Sequence, residues 1–203
     1  MRLLFLTAVF GLPVFAEESS IPIEETPPEK RAPAMIEAKG GYLFFQSHKM
    51  REVYGNGSFE VQISGSYPIR RSCQVYGSVG FLEAWGTSLQ VHQKTVFWRI
   101  PVDLGLKPIV SIGSFVQWYA AFGPRYFYAH QHNHSSFVNR RIGKSGIGAF
   151  ANTGFNFFPI SHFLIDVFAE YSYEPIRFSS SKASVRNLQV GGFYLGAGLG
   201  YAF

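Results

Sequence analysis

The residues of this 203-residue chain that could do chemistry are six histidines, one cysteine and thirteen carboxylates. His130, His132 and His134 alternate, with His48 and His92 elsewhere. On an extended segment, alternate imidazoles share one side and could chelate a transition metal. Between Ala129 and Gly146, however, there is no carboxylate or second ligand type to complete a set, and we expect no bound metal. Three serine–histidine neighbours, Ser47-His48, His134-Ser135 and Ser161-His162, could begin nucleophilic catalysis. Only the first has an acid close by, Glu52, and no sequence feature makes it orient the imidazole. The chain is therefore not expected to be an enzyme. Phosphate loops, dinucleotide fingerprints and metalloprotease helices are absent, and no cofactor is expected. Cys73 stands alone, so no intramolecular disulfide supports the fold; it reads as a small wall residue.

The remaining candidates are charges, and they recur with period two, the mark of strands whose two faces differ. In Ser58 to Tyr67, Phe59, Val61, Ile63, Gly65 and Tyr67 share one face, while Ser58, Glu60, Gln62, Ser64 and Ser66 share the other. Thr95 to Leu106 opposes Val96, Trp98, Ile100, Val102, Leu104 and Leu106 to Thr95, Phe97, Arg99, Pro101, Asp103 and Gly105. Phe163 to Tyr173 repeats the pattern, with Asp166 and Glu170 on its polar face. These runs have the length a tilted strand needs to cross the hydrocarbon layer, about 9–11 residues. Met35 to Phe45, Cys73 to Glu83, Val116 to Tyr128, Ile147 to Phe157 and Leu188 to Phe203 complete a set of eight.

The connections alternate in length. Those after Pro68, at Lys107 to Phe115 and at Phe158 to His162 are short; Gln46 to Gly57, Ala84 to Lys94, Ala129 to Gly146 and Glu174 to Asn187 are long. Short turns at one end and long loops at the other describe an all-β, antiparallel, up-and-down transmembrane barrel, with turns in the periplasm and loops outside. Ile109 to Phe115 has strand character of its own and could extend either neighbour.

The N-terminus agrees with export. Arg2, the apolar run Leu3 to Phe10, the breakers Gly11 and Pro13, and Val14-Phe15-Ala16 make a signal peptide over residues 1–16. Residues 17–34 hold Pro22, Pro27, Pro28, Pro33 and five glutamates. This composition cannot bury enough surface to order itself and predicts a disordered periplasmic tether. The barrel occupies residues 35–203.

The chain ends with Phe193, Leu195, Ala197, Leu199, Tyr201 and Phe203 on one face. A terminal phenylalanine after alternating apolar residues, here Tyr201 and Phe203, resembles the signal that the barrel-assembly machinery reads on the last strand of bacterial outer-membrane barrels. The chain from Met35 onward is thus similar to the eight-stranded outer-membrane barrels of Gram-negative bacteria, such as the opacity-type and OmpA-type membrane domains. A second likeness, to small outer-membrane proteins of chlamydial type, rests on Tyr54-Gly55-Asn56-Gly57 and the glycine-rich last strand.

Charge then divides into two sets. The long connections carry Lys49, Arg51, Lys94, Arg140, Arg141, Lys144, Arg177, Lys182 and Arg186 against Glu52 and Glu174, a balance of +7 in a chain of net +5. A cationic outer rim would face lipopolysaccharide phosphates and anionic surface or host polymers, while nucleic acid is a poor partner for an exported chain. The inward phase carries Glu37, Lys39, Glu60, Arg99, Asp103, Arg125, Asp166 and Glu170. Of these, Glu60, Arg99, Arg125, Glu170, Asp103 and Asp166 are expected to form an ion network that plugs the narrow lumen. Glu83 alone falls on the outward phase.

Three functions fit. The first is a structural and interaction protein whose basic loops serve adhesion, lipopolysaccharide or polyanion contact, or envelope integrity. The second is a narrow porin-like channel lined by the lumen charges. The third is a soluble lipocalin-like barrel, which would need the apolar phase to face inward. N-terminal sequencing of the exported protein should begin at Glu17; a mature chain that retains Leu3 to Phe10 would overturn the assignment of residues 1–16.

Overall fold

A computed structural model describes residues 33–87, 94–133, 141–180 and 183–203. The signal peptide and nearly all of the tether lie outside the described residues. Eight strands close into a barrel in the order β1-β10-β7-β6-β5-β4-β3-β2, every neighbour antiparallel. They are β1 (Met35–Phe45), β2 (Gly57–Arg70), β3 (Cys73–Thr87), β4 (Lys94–Ser111), β5 (Val116–Asn133), β6 (Arg141–Ile160), β7 (Phe163–Tyr173) and β10 (Gly192–Ala202). A short helix, α1 (His48–Tyr54), lies in the first long connection, and β8 (Pro175–Ser180) pairs with β9 (Ala183–Gln189) in the fourth.

The apolar phase faces out. Along β2, Phe59, Val61 and Ile63 are 60%, 47% and 59% exposed, whereas Glu60, Gln62 and Ser64 are 0%, 2% and 2% exposed. The same split holds on β7, where Ile165 and Val167 are exposed and Asp166 and Glu170 are buried. A soluble barrel would pay for this arrangement with an apolar coat in water, so the lipocalin-like reading is set aside. A bilayer makes the same coat favourable, and closure leaves no strand edge unpaired in lipid.

Several boundaries differ from the sequence reading. β3, β4, β5 and β6 run on into segments read as connections, and β4–β6 reach 18, 18 and 20 residues against 11 for β1, β7 and β10. Antiparallel pairing continues above the bilayer because each residue added to a hairpin satisfies its backbone groups in the ladder. Ile109 to Ser111 extend β4, with Ile109 buried in the lumen, and Ile112 to Phe115 form the turn. Leu188 and Gln189 belong to β9 and not to the last barrel strand.

Glycine sets the closing seam. Gly41 of β1 faces Gly196 of β10, and a methyl on either would strike the partner's backbone. Lower in the same seam, Gly198 and Gly200 sit opposite Lys39 and Glu37 and leave the room those long side chains occupy. Gly55, with φ of 76°, ends α1 in a conformation that costs glycine little. At the periplasmic end, the Phe203 N–H donates to the Ala34 carbonyl and the Ala202 N–H to the His162 carbonyl, which ties the last residues into the wall.

Ile63 lies midway along β2 on the outward face. Ile63→Lys should cost about 2–4 kcal/mol of unfolding free energy in lipid vesicles. A loss within about 0.5 kcal/mol, as at a water-facing site, would show that this face does not meet lipid.

Candidate functional site

The lumen is filled by side chains that alternation sends inward from all eight barrel strands, and their charges sort into two clusters. In the outer cluster, Arg125 of β5 forks onto Asp103 of β4, with Nε 2.5 Å from Oδ1 and Nη2 2.7 Å from Oδ2. The same guanidinium reaches Glu170 of β7 at 2.5 Å and Glu174, just past β7, at 3.1 Å. Arg99 of β4 donates to Glu60 of β2 at 2.6 Å and to Glu174 at 2.5 Å. Ser78 and Gln62 donate to Asp103, and Asn152 donates to Glu170. Two guanidiniums therefore bind four carboxylates, and all six side chains are at most 1% exposed where they meet.

The inner cluster is built on lysine. Lys39 of β1 sits 2.9 Å from Glu37 and 2.8 Å from Asp166 of β7. Lys107 of β4 holds the other oxygen of Glu37 at 2.7 Å and lies 4.2 Å from the centroid of the Tyr119 ring. The Tyr119 hydroxyl donates to Asp166 at 3.0 Å. Tyr76, Ala121 and Phe150 pack as a small apolar group in the same lumen.

Above the outer cluster the lumen is closed by apolar side chains. Phe45, Phe97, Phe127 and Ala129 from the wall join Met50 and Tyr54 of α1, Ile176 of β8 and Val190 just past β9. A cavity of about 30 Å³ remains among them, room for roughly one water. At the periplasmic end a wider vestibule of about 1000 Å³ is lined by residues including Arg71, Gln117 and His162.

The structure brings Glu60, Arg99, Arg125, Glu170 and Asp103 together, and sends Asp166 to the inner cluster with Glu37 and Lys39. Two residues change place. Glu174, read as an outer-loop charge, is fully buried between Arg99 and Arg125, and Lys107, read as part of a turn, is fully buried beside Glu37. Both were accessible to the period-two pattern: Asp166, Glu170 and Glu174 share one phase, as do Asp103 and Lys107. Halting the strands at the last apolar residue hid them.

Of the rim residues, Lys49 and Arg51 are exposed on α1, Lys94 is exposed at the first residue of β4, and Lys144 is exposed on β6. Arg141 begins β6 and so belongs to a barrel strand, while Arg177 and Arg186 lie on β8 and β9 within the fourth long connection. Arg140 and Lys182 lie outside the described residues, as do His92, His134 and Ser135. His130 and His132 lie on β5, where His130 stacks on Trp98 at 5.1 Å. No metal-ligating group of three or more stands together among the described residues. His48 Nδ1 lies 3.0 Å from Glu52, so that acid does orient the imidazole, on an exposed helix face. His162 Nδ1 is 2.9 Å from the Ala202 carbonyl, and its ring stacks on Tyr201. Glu83 keeps its outward phase, half-buried and opposite Trp98.

No protein-family model matches the chain, and no curated protein is similar to it in sequence. Solved structures are similar in fold. Neisserial surface protein A superposes with a TM-score of 0.57 at 13% identity, over 84% of this chain and 97% of that one. Outer membrane protein AlkL in lipid bilayers gives 0.54 at 11% identity over 97% of each chain. The attachment invasion locus protein Ail of Yersinia pestis, in complex with the heparin analogue sucrose octasulfate, gives 0.53 at 18% identity over 84% of this chain and 99% of that one. The chain thus has the fold of the small eight-stranded outer-membrane barrels.

Removing one partner of a buried ion pair strands the other, at a cost of about 3–5 kcal/mol. Arg125→Ala should lower the urea-unfolding free energy by that amount, and adding Asp103→Asn and Glu170→Gln should restore part of it. A cost under about 1 kcal/mol, the range of surface pairs, would mean that water reaches this cluster.

Proposed function

We propose that this outer-membrane barrel is an interaction protein: a plugged, rigid cylinder that holds a basic outer end toward anionic polymers, in adhesion or in contact with the envelope surface. The observation that carries this reading is the packed lumen. Arg99 and Arg125 are fully buried among four carboxylates, with an apolar lid above them. A lumen so filled offers a solute no route, and the surface left for function is the outside. There, Lys49, Arg51, Lys94 and Lys144 are exposed, and moving Glu174 into the lumen takes an acid away from the rim. The heparin analogue bound in the Ail structure supplies an example, on this fold, of the sulfated polyanion such an end would meet. The role proposed here involves no catalysis.

Cells or vesicles bearing the protein should bind heparin, with affinity falling steeply as salt rises through the range where the Debye length drops below about 10 Å. Lys49→Ala with Arg51→Ala should weaken that binding. Salt-insensitive or absent binding would overturn the polyanion role. In planar bilayers the protein should be silent, and discrete conductance steps altered by Arg99→Ala or Glu60→Gln would replace this reading with a channel.

A further inference from the structure

The barrel has two unlike sides. In their outer halves, the outward phases of β7, β10, β1 and β2 form one contiguous half of the circumference and hold no charged or imidazole side chain. The other half, β3 to β6, holds all of them. Lys94 and Trp98 lie on the outward phase of β4, and Tyr128, His130 and His132 on that of β5. The register sets His130 opposite Trp98, His132 opposite Val96, and Arg141 opposite His132. Glu83, level with Trp98, is the one carboxylate on this side among the described residues.

Height matters as much as side. Trp85, Trp98 and Tyr128 mark the interface level, where amphipathic rings collect. The Trp98 ring packs against Tyr128 at 5.5 Å and against His130 at 5.1 Å. Lys94 is four residues above Trp98, about 13 Å along the strand at 3.3 Å per residue. With a strand tilt near 45°, it stands about 9 Å above the ring. Lys94 and the two imidazoles therefore climb through the headgroup layer, on the side where β4, β5 and β6 are longest, on the strand phase that faces outward. A soluble polymer arriving from outside meets Lys49 and Arg51 on α1; a molecule already seated in the leaflet meets this wall.

We propose that the outward face of β4–β6 above Trp98 docks a phosphorylated glycolipid of the outer leaflet. Lys94, His130 and His132 meet its phosphates, and the tall strands match a headgroup too high for the single phosphate of an ordinary phospholipid. The proposal deepens the reading of the outer end as a contact surface by naming the lipid that one side of it would hold.

The test is native mass spectrometry of the mature chain in neutral detergent, offered diphosphoryl lipid A, its dephosphorylated form, or phosphatidylglycerol. The protein should retain diphosphoryl lipid A about fivefold over the other two, as expected for a Lys94–phosphate contact at about 1 kcal/mol. Lys94→Glu with His132→Glu should abolish the preference, the milder Lys94→Gln with His132→Gln should reduce it, and Lys49→Glu with Arg51→Glu should leave it intact. Circular dichroism checks that each variant keeps its strand signal. An unchanged preference in both Lys94/His132 variants, or equal retention of phosphatidylglycerol, would overturn the proposal. Heparin binding scored on the unmutated protein separates the two readings: its absence counts against the polyanion role, whereas absence of the lipid preference alone counts against this site.

Discussion

The structure depends on one constraint: a backbone in hydrocarbon must satisfy every N–H and C=O within the wall. An antiparallel sheet does this only when its first and last strands pair, and β1 pairs with β10 over its whole length, Met35 with Ala202 through Phe45 with Gly192. Glycines at the seam let those two strands approach. Once closure is fixed, period two has a single outcome. One phase must be apolar and face lipid, and within the span the charged side chains are driven into a lumen too narrow to hydrate them.

That lumen then has to solve its own electrostatics. Isolated charges there would each cost several kcal/mol, so arginines bridge carboxylates from different strands, and serine, glutamine and asparagine supply further donors. Arg125 joins β5 to β4, to β7 and to the base of the β8–β9 hairpin. The same contacts that neutralise the charges cross-brace the wall and hold the hairpin over the mouth through Glu174. Plugging and rigidity are one property of this interior.

The exterior follows a different rule, because it meets lipid at mid-height and water above. β4, β5 and β6 continue as hairpins past the level of Trp98, and the register sets the height at which Lys94, His130 and His132 leave the wall. Lys49 and Arg51 on α1 face the medium from a separate element. Side and height distinguish the anions each group could meet.

Alternation in ten-residue runs, apolar residues opposite charged ones, and a terminal strand ending on Phe203 made the eight-stranded barrel and the lumen charges legible, because a period of two in lipid admits one orientation. β1 and β7 were bounded correctly by that pattern alone. Where the strands stop was not legible: above the bilayer no apolar demand marks the outward phase, so hairpin extensions such as Arg141–Gly146 look like loop. For the same reason Glu174 and Lys107 escaped notice as lumen charges. Which carboxylate each cation takes was decided only by closure, which brings Lys39 to Asp166 and Arg99 to Glu60 from distant parts of the chain. The gathering of Lys94, His130, His132 and Arg141 onto one side exists only in the register of β4, β5 and β6, because the hairpin pairings decide which residues of these consecutive strands stand opposite one another.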